Sequence, residues 1–103
     1  MRRFLLCLII AIAGAFVLAG QASGFRPKNG FVPDQKTAVS VAEAVLSPIY
    51  GEKQVASERP FSAQLDRGVW TITGNLPVGW DGGVAEIKIR RSDAAVISVT
   101  HGK

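Results

Sequence analysis

The apolar residues of this chain change their period part-way along it, and that change limits what the chain can fold into. From Asp34 to about Leu46 the positions Ala38, Val39, Val41, Ala42, Val45, Leu46 and, just beyond, Ile49 fall within an arc of roughly 160° on a helical wheel. Lys36, Ser40, Glu43 and Ser47 take the other side. The spacing predicts one helix with one buried face. Asp34 suits its N-cap, where a carboxylate meets the positive end of the helix dipole. Pro48 either ends the helix at Ser47 or starts a short further turn, and Gly51 offers a stop after Ile49-Tyr50.

Beyond Gln54 the period becomes two. Phe61, Ala63 and Leu65 alternate with Ser62, Gln64 and Asp66, and Arg67-Gly68 makes a hairpin-sized break. Trp70, Ile72, Gly74 and Leu76 alternate with Thr71, Thr73 and Asn75. A loop of Pro and Gly, Pro77 to Gly83, follows. Ala85, Ile87 and Ile89 form a third alternation, and Ala95, Ile97 and Val99 a fourth after a turn at Ser92-Asp93-Ala94. Gln54 to Glu58 is a candidate fifth edge strand. Short connections predict antiparallel neighbours. One amphipathic helix and one sheet with a single apolar face bury only against each other. The expected fold is α+β: an N-terminal amphipathic helix on a curved antiparallel sheet of four to five strands.

The 48% apolar content is unevenly spread over the 103 residues. Residues 4–20 carry no charge, Arg2-Arg3 precede them, and small residues follow in Ala19-Gly20-Gln21-Ala22-Ser23-Gly24. That pattern predicts a signal peptide over residues 1–22, cleaved between Ala22 and Gly24. An uncleaved anchor is disfavoured, because 17 apolar residues fall short of the roughly 20 that span a bilayer. Residues 23–33 are a lead-in with turn signals at Pro27, Asn29-Gly30 and Pro33, and residues 34–103 are the domain. Removing 22 of 103 residues leaves 81. The only cysteine, Cys7, and two of the 12 basic groups leave too, so against 8 acids the net charge falls from +4 to +2. The expected location is periplasmic or secreted, with membrane contact only during export. A net charge of +2 gives no reason to expect nucleic acid as a partner.

Few groups remain for catalysis. The one histidine, His101, is third from the C-terminus, where chains fray, and reads as a partly exposed residue ending a strand. No thiol remains, and no glycine-rich phosphate loop is present. Asp81 and Glu86 lack the dense carboxylate spacing of a cation site. No enzyme activity, cofactor or metal is expected. The loop Pro77-Val78-Gly79-Trp80-Asp81-Gly82-Gly83 is the candidate binding element, because a large ring among glycines is either an exposed anchor or a cover folded back over the sheet. Gly82-Gly83 supply the turn's backbone freedom. Trp70, in phase with Ile72, reads as core, and Tyr50 packs over the helix end.

These segments, taken together, carry a resemblance. Thr37-Ala38-Val39 and Ala42-Glu43-Ala44-Val45-Leu46 lead into Pro48-Ile49-Tyr50-Gly51-Glu52 and Arg59-Pro60-Phe61. Then come Gly68-Val69-Trp70-Thr71-Ile72-Thr73-Gly74-Asn75-Leu76-Pro77, Gly82-Gly83-Val84-Ala85-Glu86-Ile87 and the closing Thr100-His101-Gly102-Lys103. From about Gly30 onward the chain resembles the short bacterial NTF2 fold immunity proteins, antidotes in polymorphic toxin systems. It is too short for a complete NTF2 cone, so a truncated NTF2 or cystatin-like form is expected. Members often carry glycine in the last hairpin, where this chain has Ala94-Ala95, so that turn is expected to be longer or strained.

The resemblance implies a protein that binds and neutralises a cognate toxin. Export points to a toxin of the cell wall or membrane, and the near-balanced charge does not suit a basic nuclease. Trp80 and Asp81 are the first candidate contact residues, and Asp66 and Arg67 of the hairpin the second. The alternative function is a small periplasmic binding or inhibitor module for an envelope enzyme or small ligand. A homodimer through an open sheet edge is a further possibility.

Overall fold

The computed structural model describes residues 24–102. The expected signal peptide and its cleavage site lie outside them. Helix α1 spans Gln35–Tyr50. The Asp34 side chain accepts a hydrogen bond from the Thr37 backbone N–H at 2.8 Å, as an N-cap should. Hydrogen bonding from Thr37 holds that carboxyl below its ordinary value. Ala38, Ala42 and Leu46, four residues apart, form the fully buried stripe of α1. The two alanines let the helix axis approach the sheet closely. Pro48 has no N–H to give the Ala44 carbonyl, yet so near the C-terminus it does not end the helix, which runs on to Gly51.

A second helix, α2, spans Glu52–Ser57. It replaces the fifth edge strand expected at Gln54–Glu58. Only Val55 of α2 is buried, so the segment has no apolar alternation to lay on a sheet. The Gln54 amide instead donates to Glu58 Oε2 at 2.8 Å, a four-residue reach that helical geometry supplies.

The sheet has four strands in the order β1 (Ser62–Asp66), β2 (Val69–Thr73), β3 (Ala85–Arg90) and β4 (Val96–His101), each antiparallel to its neighbours. Ala63 lies across from Ile72 and Ile72 from Ile87, which puts the three expected core rows in register. These residues close over α1 with Trp70, Ala85, Ile89, Phe61 and Val55. The Trp70 ring is buried as expected, and its N–H donates to the Val32 carbonyl at 2.8 Å. Val32, from the lead-in, is itself fully buried.

Three expectations for the strands fail in detail. Leu65 keeps the alternation but is exposed, near the turn end of the edge strand β1, whereas Ala63 on the same strand is buried. Strand β2 stops at Thr73 and leaves Leu76 exposed, since the Asn75 N–H turns away to the Glu58 carbonyl at 2.7 Å. In β4 an irregularity opposite Lys88 and Ile89 resets the register, so that Val96, not Ile97, lies across from Ile89. Helix α1 packs on β1, β2 and β3, and β4 is left as a largely exposed edge.

Both hairpin turns lie at one end of the sheet, tied together by the Arg91 N–H to the Gly68 carbonyl at 2.9 Å. Arg67 and Gly68 have φ of 51° and 76°, the paired left-handed residues of a two-residue hairpin. The strain expected at Ala94-Ala95 is present: Ala94 has φ of 63°, a region that disfavours a residue with a Cβ. The other end of the sheet carries α2, the loop of residues 74–84 and the last residues of β4.

Candidate functional site

That loop end holds the most developed chemistry of the described residues. Glu58, directly after α2, is only 3% exposed. Its Oε1 accepts from the Ala85 N–H at 2.7 Å, and its Oε2 from the Gln54 amide at 2.8 Å. His101 Nε2 approaches the same Oε2 at 3.2 Å. Burial pushes the Glu58 carboxyl up, but the Gln54 amide, the Ala85 N–H and His101 together hold it below its ordinary value. The carboxylate therefore links α2, β3 and β4.

His101 is more constrained than its position suggests. Its side chain is 28% exposed, and its ring centroid lies 5.1 Å from that of Tyr50. Nδ1 faces the Gly102 carbonyl at 2.8 Å, while Nε2 faces Glu58. Both ring nitrogens thus lie within hydrogen-bond distance of an oxygen. His101 is the partly exposed residue ending a strand that the sequence predicts, and beyond that expectation Glu58 and Tyr50 position its ring.

Beside this pair lies a cavity of about 280 Å³ between Gln54 and Ser57 of α2, Leu76 and Trp80 of the loop, and His101. Trp80 is 60% exposed, so the ring stands at the cavity mouth and does not cover the sheet. Asp81 lines the same cavity. Gly82 has φ of +108°, and a Cβ on Gly83 would meet the Gly102 backbone, so both glycines are structural. A larger groove of about 570 Å³ runs between α1 and β1, but it is lined by Lys36 and neutral side chains and carries no exposed ring.

Asp66 and Arg67 are exposed at the hairpin turn, at the opposite end of the sheet from Trp80 and Asp81. The four candidate contact residues therefore form two separate pairs. Glu58 went unrecognised in the sequence, although Gln54 and Glu58 at helical spacing were a usable signal. Among the described residues no group of three or more His, Cys, Asp or Glu is placed to hold a metal ion, and no helix is long and apolar enough to cross a membrane.

The helix-on-sheet architecture and the loop end can now be set beside known proteins. Residues 37–103 match the family described as NTF2 fold immunity protein. The chain belongs to that family. The match begins inside α1 and takes in α2, the whole sheet and the Trp80 loop, whereas Val32 and the Asp34 cap precede it. Searches of curated proteins and of solved structures found no significant match. Among the described residues this NTF2 fold immunity protein has one long helix, one short helix and a four-stranded open sheet.

Proposed function

We propose that this immunity protein is exported and neutralises a toxin of the cell wall or membrane by stoichiometric binding through its loop end. The observation that carries the reading is Trp80, an exposed ring on a loop whose base is held by the buried Glu58 carboxylate. A large exposed aromatic anchor is the kind of residue that dominates interface energetics. The charge-free run 4–20 behind Arg2-Arg3 supports export. The Glu58 carboxylate is engaged by Gln54, Ala85 and His101, which favours a structural role for it over catalysis.

The test is binding to the toxin encoded by the adjacent gene, measured by calorimetry. Trp80→Ala is expected to weaken affinity by about 2 kcal/mol, roughly 30-fold. Unchanged affinity would remove Trp80 from the interface. The second reading, a small-ligand module, draws on the cavity beside Trp80, but 280 Å³ lies just below the range of pockets that enclose a drug-sized ligand.

A further inference from the structure

The geometry points to a second interaction surface: the hairpin end of the domain docks on an anionic membrane surface, with the Trp80 end turned away from it. Arg26, Lys28, Arg91 and Phe31 surround a cavity of about 280 Å³ at this end. Arg67 joins them, because the Arg91 N–H holds the Gly68 carbonyl beside it. None of these four cations takes part in a described ion pair, whereas Arg90 is engaged by Asp93 at 2.9 Å.

The end is polarised as a whole. It gathers five cations, Arg26, Lys28, Arg67, Arg90 and Arg91, against two acids, Asp66 and Asp93. The rest of the described chain holds six acids against four cations, so its balance has the opposite sign. Two large rings stand out among the basic groups: Phe25 is 80% exposed and Phe31 51% exposed. Exposed aromatic rings interleaved with Lys and Arg suit the headgroup layer, where rings enter the acyl boundary and cations meet lipid phosphate. An acidic protein would satisfy the charges but gives less reason for two solvent-facing phenylalanines on an extended lead-in.

This surface does not depend on the identity of the toxin.

Limited trypsinolysis of the full chain tests it, in vesicles of phosphatidylcholine alone and in vesicles that also contain phosphatidylglycerol. Cleavage after Lys28 and Arg67 is expected to be at least ~5-fold slower on the anionic vesicles at low salt and to recover at high salt. Cleavage after Lys53, on α2 at the other end, reports any general effect of the lipid on the protease. Arg67→Glu with Arg91→Glu should abolish the difference read at Lys28, and Lys28→Glu, on the lead-in, should reduce the difference read at Arg67 without touching the sheet. Equal rates in both lipids overturn the proposal. A slowing shared by Lys53 overturns it too, since protection would then belong to no particular end.

Discussion

The two tryptophans occupy opposite ends of one sheet. Trp70 is buried at the hairpin end, between α1 and the strands, and gives its ring N–H to Val32. Trp80 is exposed at the loop end, beside a cavity and a buried carboxylate. The hairpin end is built from strand pairing and apolar packing and carries its charge outside. The loop end is built around a polar cluster and carries an apolar ring outside. The same side chain thus serves cohesion in one setting and recognition in the other, according to what its neighbours leave for it.

Substituting the two tryptophans is the strongest way to break this contrast. Trp70→Ala should destabilise the fold by about 3–5 kcal/mol in urea unfolding, as deletion of a buried ring does. Trp80→Ala should change stability by less than about 0.5 kcal/mol. Comparable losses from both would show that Trp80 is a packing residue after all.

Glu58 sharpens the contrast at the next level. Glu58→Ala strands the Ala85 N–H and should cost about 2–4 kcal/mol. Because the folded carboxyl titrates below its ordinary value of 4.5, it contributes stability above that pH, and the contribution is lost as pH falls through the lowered folded value. Stability measured from pH 7 downward should therefore decline below 4.5, and more steeply than in Glu58→Gln. Parallel curves for the two proteins would remove the linkage.

The smallest expected effect lies at the hairpin end. Ala94 sits at φ of 63°, so Ala94→Gly should stabilise by about 1 kcal/mol, read as a higher midpoint in thermal unfolding. A lower midpoint would mean that the turn is not strained.

The sequence expectations succeed where a residue's environment follows from its neighbours in the chain. Trp70 is legible because it is in phase with Ile72, and α1 because its apolar stripe recurs over about three turns. They fail where the environment comes from afar. For Glu58 the only local signal is Gln54 at helical spacing, whereas its partners Ala85 and His101 are 27 and 43 residues away. The partners of His101 are hidden for the same reason, although its place at the end of a strand is not. The orientation of Trp80 is open in the sequence because glycines permit either placement. Asp66 and Arg67 share its exposure but not its end of the sheet, a matter of topology that spacing alone does not carry.

The central claim, that recognition belongs to the loop end, is tested most directly by hydrogen exchange of the immunity protein alone and bound to its toxin. Slowed exchange should be confined to residues 54–58 and 74–84, with no change at residues 66–68 and 91–93. Protection of the hairpin residues with none in the Trp80 loop would contradict it.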